Sequence, residues 1–196
     1  MSKPVATSDD GLFQAARSGN VVELKERLMV KTSFDMKNAD AMTLLMVAAE
    51  HDQVEVAKLL VNLGAKLHIT DKYGDTALTW AAYKGNINVL RLLISSKANV
   101  NLKNKDGQTA LMSAVAQGHF NVVKVLLAAG AQIDDKDNDG DTALLWAAGQ
   151  GDADIVKVLL DAKASVAEKN AKKKTALDAA MANNHPEIVA LLSKPE

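Results

Sequence analysis

Apolar residues recur at helical spacing in pairs of short segments along most of the chain. The segment TALTWAAYKG, which starts at Thr76, places Leu78, Ala81 and Ala82 on one stripe, and the following NINVLRLLIS repeats that spacing with larger side chains. Spacings of three and four residues put side chains on one face of an α-helix. The pattern therefore predicts two short helices joined at a glycine, neither of which would be stable alone in water.

The same pair of segments returns every 33 residues. A threonine opens the first helix of each copy, where its hydroxyl can accept a hydrogen bond from a free backbone amide. These threonines are Thr43, Thr76, Thr109, Thr142 and Thr175, and an earlier degenerate copy, DGLFQAARSGNVVELKERL, has Asp10 at that place. A fixed period of about 20–50 residues is the signature of a stacked array whose units bury their apolar sides against each other.

The shared unit, D-x-x-G-x-T-A-L-x-x-A-A-x-x-G-x(4)-V-x-x-L-L, resembles the ankyrin repeat, and the match covers residues 10–193. The resemblance implies an all-α ankyrin-repeat solenoid of about six helix-turn-helix units with hairpin loops. It implies a slightly curved stack, whose concave side is formed by the hairpins and the first helices. We expect a flexible tail at residues 1–9 and a single domain at 10–196, with repeats at about 10–37, 38–70, 71–103, 104–136, 137–169 and 170–196.

Two positions depart from the pattern of the family. The resemblance implies a histidine that forms hydrogen bonds between repeats, but its position holds Met46, Thr79, Met112, Leu145 and Asp178, so those bonds are expected to be absent. The glycine that ends the second helix is kept at Gly64 and Gly130 and is replaced by Lys97 and Lys163. A residue with a side chain costs about 1 kcal/mol in the left-handed conformation, so we expect an array that is stable but not extremely so.

The resemblance also implies that the chain binds another protein on its concave face. Positions before the repeating threonine and after the paired alanines vary between copies, so we expect contacts to a partner there. The candidate partner-binding residues are Met42, Met46, His51, Tyr73, Asp75, Trp80, Tyr83, Lys84, Met112, Gln117, Asp139, Asp141, Trp146 and Gln150. Both tyrosines of the chain fall beside Trp80, and large aromatic side chains dominate interface energies.

The two tryptophans occupy equivalent positions two repeats apart, with Ser113 at the position between them. Either Trp80 and Trp146 pack between neighbouring first helices or they anchor a partner, and a half-buried indole commonly does both. The sequence leaves these two interpretations open.

A free-standing binder can act in few ways. We expect it to mask a site on its partner and so to inhibit or protect that partner, and a scaffold joining two proteins is the alternative. An enzyme is a distant third, because the sequence shows no matched base and nucleophile. We therefore expect no catalytic residues and no cofactor.

The stretch DDKDNDGD at residues 134–141 has the spacing of a calcium-binding loop, since Asp135, Asp137 and Asp139 alternate before Gly140. An EF-hand requires a glutamate at the twelfth position, where this chain has Trp146. We interpret the aspartates as turn formers at a hairpin tip, and we expect no metal site.

The formal net charge of −1 gives no strong attraction to nucleic acid. No apolar run is long enough to insert into a membrane. Acidic residues outnumber basic ones in residues 136–168, which favours a partner, for instance an enzyme, with a basic patch. The N-terminal residues contain no apolar leader, so we expect the cytoplasm, or the bacterial periplasm if a leader has been removed.

Overall fold

The computed structural model describes residues 9–29 and 33–193, and these residues form twelve α-helices and no β-strand. Residues 1–8 of the predicted tail lie outside the described residues. Asp9, the last residue of that predicted tail, is the first residue of α1. The helices are α1 Asp9–Ser18, α2 Val21–Leu28, α3 Leu44–Glu50, α4 Val54–Asn62, α5 Ala77–Lys84, α6 Ile87–Ser95, α7 Ala110–Ala116, α8 Phe120–Ala128, α9 Ala143–Gln150, α10 Ala153–Asp161, α11 Ala176–Ala182 and α12 Pro186–Leu192.

The helices belong to two compact units. The first unit ends at residue 99 but excludes residues 82–85, which belong with residues 100–196 in the second unit. In the first unit α1 packs against α2 and α3, while α4 packs against α2, α3 and α6. In the second unit α9 packs against α7, α10 and α11, while α10 also packs against α8 and α12. Within each unit, helices of one repeat therefore contact helices of the adjacent repeats, as in other repeat proteins.

The repeating threonines begin the first helices as predicted. The Thr142 hydroxyl accepts a hydrogen bond from the Leu145 amide at 3.3 Å, and Thr43 and Thr109 cap α3 and α7 in the same way. Met46 and Asp178, which replace the family's histidine, complete their caps from the other direction: the Thr43 amide donates to Sδ of Met46, and the Thr175 amide donates to Oδ2 of Asp178. These side chains therefore bond within their own repeat.

The apolar stripes form the core of each unit. Ala81 and Ala82 are fully buried, which allows close approach of the helices, and Leu90, Leu93 and Leu126 are buried to the same extent. Each fully buried leucine stabilises the fold by about 2 kcal/mol relative to an exposed one. None of the described helices is long and apolar enough to cross a membrane.

Side chains at the start of the second helices connect successive repeats. The Asn86 amide group donates to Ala49 O at 2.8 Å and to Glu50 O at 2.9 Å. His119 Nε2 lies 3.0 Å from Tyr83 O, and His185 Nε2 lies 3.2 Å from Gly149 O. A carbonyl oxygen only accepts, so each imidazole donates. These bonds occupy carbonyl groups that a helix leaves free at its C-terminal end.

The predicted left-handed turns are present. Gly64 and Gly130 have φ of 85° and 86°, and Lys97 and Lys163, which replace glycine, both have φ of 69°. A Cβ atom crowds the neighbouring carbonyl oxygen in this conformation, whereas glycine has none. The two lysine turns therefore reduce the stability of the fold.

We expect Lys97→Gly and Lys163→Gly each to raise the free energy of unfolding by about 0.5–1 kcal/mol, because glycine relieves the strain at positive φ. Urea denaturation measures the change. Lys58→Gly, within α4, is the matched control and should lower stability by about 1 kcal/mol. Destabilisation by all three substitutions would contradict the inference that Lys97 and Lys163 are strained.

Candidate protein-binding surface

One aspartate or asparagine organises the hairpin of each repeat from the second to the sixth. The carboxylate oxygen Oδ1 of Asp71 accepts the Tyr73 amide at 2.8 Å and the Asp75 amide at 2.9 Å. Oδ1 of Asp137 likewise accepts the Asp139 amide at 3.0 Å and the Asp141 amide at 2.8 Å. Asn38, Asn104 and Asn170 hold the equivalent bonds through their amide oxygens. The side chain thus fixes the turn in place of a backbone acceptor.

In the repeats with tryptophan, the second carboxylate oxygen binds the indole. The Trp80 Nε1–H donates to Asp71 Oδ2 at 3.0 Å, and the Trp146 Nε1–H donates to Asp137 Oδ2 at 3.0 Å. Where the hairpin residue is asparagine, the residue nine positions later is not tryptophan: Val47, Ser113 and Ala179 stand there. This pairing has a chemical reason. Aspartate has a second carboxylate oxygen that can accept the indole N–H, whereas asparagine has an amide nitrogen there, which cannot accept a hydrogen bond.

Both interpretations of the tryptophans thus have a physical basis. Each indole is half-buried and tied by its N–H to its own hairpin, which is a structural role. The same bond fixes the orientation of the remaining ring surface. An aromatic face held in one orientation loses little entropy when a partner binds it.

We expect Asp137→Asn to lower the free energy of unfolding by about 1 kcal/mol, because Oδ1 keeps its amide bonds while the indole loses its acceptor. In a Trp146→Ser background, which reproduces the natural Asn104 and Ser113 combination, the same substitution should cost almost nothing. A double-mutant cycle by urea denaturation measures the coupling between the two residues. Equal costs in both backgrounds would disprove the matched pairing.

The first unit presents Tyr73 and buries two other candidate residues. Tyr73 is 56% exposed, and Nζ of Lys72 lies 4.9 Å from the centre of its ring. Met42 and Met46 are only 7% and 1% exposed, so they contribute to the core in this conformation. His51 follows α3, with Nε2 at 3.5 Å from a carboxylate oxygen of Glu50. Asp75 and Trp80 contact the hairpin through Asp71, as described above.

The second unit presents Tyr83, Lys84, Gln117, Asp139 and Gln150 on its surface. The Lys84 ammonium lies 5.5 Å from the centre of the Tyr83 ring. Met112 is only 2% exposed and belongs to the core.

A groove of about 300 Å³ lies between α9 and α11 in the second unit. Three of the candidate residues meet there, Asp141, Trp146 and Gln150. The groove is completed by four residues that were not among the candidates, namely Leu145, Gly149, Asn170 and Ala179. The sequence did contain a signal for this groove. Gly149 has no side chain, whereas the equivalent position holds Glu50 and Tyr83 in other repeats.

Within residues 9–29 and 33–193, three side chains have displaced pKa values. A hydrogen bond to Asp40 raises the pKa of Lys72, and a hydrogen bond to Glu187 raises the pKa of Lys157. The pKa of Asp178 is lowered, first by the Thr175 backbone amide and then by the Thr175 hydroxyl. Both Thr175 groups lie 2.9 Å from Oδ2 of Asp178.

The lowered pKa of Asp178 predicts a dependence of stability on pH. A carboxyl group whose pKa is lower in the folded state than its ordinary 3.8 stabilises the fold above that value, and this contribution is lost as the pH falls through the folded pKa. We expect Asp178→Asn to be less stable than the wild type at neutral pH. Thermal unfolding at decreasing pH should show the two proteins converging below pH 3.8, and a constant difference would contradict the assignment.

The alternating aspartates at residues 135–139 serve the hairpin. An oxygen of Asp135 lies 3.1 Å from Nζ of Lys103, and the oxygens of Asp137 accept two backbone amides and an indole. Among residues 9–29 and 33–193, no group of three or more His, Asp or Glu side chains is placed to hold a metal ion.

Comparison with known proteins establishes the family. The family model for ankyrin repeats (3 copies) matches residues 12–104, 63–137 and 130–196, so the chain belongs to the ankyrin repeat family. The crystal structure of an ankyrin repeat domain from Acinetobacter baumannii AYE is similar to it, with a TM-score of 0.85 and 31% sequence identity over 94% of this chain and 97% of that chain. No curated protein sequence matches.

The membership confirms the all-α repeat fold predicted from the sequence. Ankyrin repeats are generally protein–protein interaction modules, and their fold is a non-enzymatic interaction scaffold.

Proposed function

We propose that this protein binds a partner protein through its hairpins and first helices, the side that is concave in the family, and that binding masks a functional site of the partner. The observation that supports this most is the pair of tryptophans held by hairpin aspartates. Rigid aromatic side chains supply contact area at a low entropic cost. Tyr73 and Tyr83, which are 56% and 42% exposed, add aromatic surface that the core does not need.

The excess of acidic over basic residues within residues 136–168 supports a partner with a basic patch. Asp139 is exposed on a hairpin tip, and Asp141 lines the groove beside Trp146. Acidic groups around an aromatic contact increase the rate of encounter with a basic surface and orient it. An enzyme whose active site is flanked by basic residues would be masked in this way.

A scaffold is the second candidate function. Each compact unit carries its own tryptophan bonded to its own hairpin, at Trp80 and at Trp146. An aromatic surface on each unit would allow two partners to bind together. Loss of an enzyme's activity on addition of the protein would support masking, while simultaneous capture of two partners would support the scaffold.

We expect Trp80→Ala and Tyr83→Ala each to weaken binding of the captured partner by about 2 kcal/mol, because buried aromatic contacts dominate interface energies. Isothermal titration calorimetry measures the affinity. Val22→Ala is the control, since Val22 is 69% exposed on α2, a second helix. It should leave binding unchanged.

Urea denaturation of the same variants separates binding from folding. Tyr83→Ala should leave the fold intact, and Trp80→Ala should cost about 1–2 kcal/mol because Asp71 loses a donor. A loss of about 3–5 kcal/mol, as for truncation of a core side chain, together with unchanged affinity of the folded protein, would show that the aromatic residues are only structural.

A further inference from the structure

The groove between α9 and α11 exists because two positions carry little or no side chain. Gly149 lies in the last turn of α9, and Ala179 faces it from α11, where other repeats carry Trp80 or Trp146. A Cβ atom at Gly149 would lie 3.6 Å from Nδ2 of Asn183 and 3.9 Å from Cβ of Ala179, which are ordinary contacts. The glycine is therefore not required by packing, although it is among the least favourable residues for a helix. Its effect is to leave the space beside Trp146 open.

The walls of this groove combine an aromatic ring with a carboxylate. The Trp146 ring is held through its Nε1–H by Asp137 at 3.0 Å. Asp141 is held at one oxygen, Oδ1, by the Asn170 amide group at 2.7 Å. Both groups are therefore positioned before any ligand arrives. Leu145, only 4% exposed, adds apolar surface.

The local charge is suited to a cation. Asp141 lines the groove, and α9 ends there at Gln150, so the negative end of the helix dipole adds to the carboxylate. Lysines 172–174 on the next hairpin oppose this charge, and all three are exposed. Solvent screens such exposed charges strongly. The volume of about 300 Å³ is at the lower limit of ligand pockets, which suits a single long side chain.

We propose that the groove beside Trp146 binds an arginine side chain of the partner protein. This inference rests on the proposed function and specifies the chemistry of one contact. A guanidinium group is planar, so it can stack on the indole while its N–H groups bond the carboxylate of Asp141. An ammonium group can do only one of these well, which makes arginine the better fit than lysine.

N-acetyl-arginine methylamide is a suitable probe, because it carries the side chain without a charged terminus. We expect it to shift the NMR signal of the Trp146 indole N–H saturably, with half-saturation at about 10 mM. The signal is assigned with Trp146→Phe. The lysine analogue should bind about fivefold more weakly, and the uncharged citrulline analogue about tenfold more weakly.

Substitutions in the groove test the location. Asp141→Asn keeps the Oδ1 acceptor for Asn170 and should weaken arginine binding about tenfold. Gly149→Leu fills the groove and should abolish the shift, and the smaller Gly149→Ala should reduce affinity in case the leucine variant does not fold. Asp154→Asn is the control, since its side chain is 81% exposed on α10 and does not line the groove.

Several results would overturn the proposal. These are the absence of a saturable shift up to about 50 mM, equal binding of the arginine, lysine and citrulline analogues, and an equal loss from Asp154→Asn and Asp141→Asn. Tighter binding of a leucine analogue would also overturn it in favour of an apolar occupant.

The captured partner distinguishes this proposal from the proposed function. If Tyr83→Ala weakens partner binding while Asp141→Asn and Gly149→Leu do not, the arginine contact is wrong and the binding surface stands. If the probe binds the groove but no partner is affected by Tyr83→Ala, the groove stands and the proposed surface is wrong.

Discussion

The acceptor at the start of each hairpin is the interaction on which the rest of the structure depends. One oxygen of Asp71, Asp137 or an equivalent asparagine gathers two backbone amides and so turns the chain toward the threonine that caps the next helix. The hairpins then bond each other within a unit: the Asn138 amide donates to Asp106 O at 2.9 Å, and the Ala171 amide donates to Asp139 O at 2.9 Å. Because short helices are unstable alone, this regular placement is what allows their apolar faces to be buried together.

The choice between aspartate and asparagine has a second consequence, for the surface. Aspartate has an oxygen left to hold an indole, and asparagine does not. The repeats with Asp71 and Asp137 therefore present a fixed aromatic ring, and the repeats with asparagine present Val47, Ser113 and Ala179 at the same place. Large and small side chains alternate along the first helices, and this alternation produces the groove where Trp146 faces Ala179.

Two local features are unfavourable to the fold for different reasons. Lys97 and Lys163 adopt positive φ at the ends of second helices, where glycine would be easier, and no contact in the structure explains the choice of lysine. Gly149 is different, because its absent side chain opens a space lined by an aromatic ring and a carboxylate. A residue that is poor for the helix and useful for a ligand is typical of a binding site, where local stability is given up for function.

The sequence alone determined the repeat, the family, the helices and the threonine caps, because these depend on periodic spacing and on local hydrogen bonding within a few residues. It also identified the left-handed turns at Lys97 and Lys163, since a departure from a repeating glycine is visible without coordinates. Only the tertiary structure decided that Met46 and Met112 are buried and that Trp146 is held by Asp137. Burial depends on which side chains of adjacent repeats meet, and the groove beside Trp146 depends on Ala179, thirty-three residues further along the chain. Trp146 and Ala179 come to line one groove only because the repeats stack.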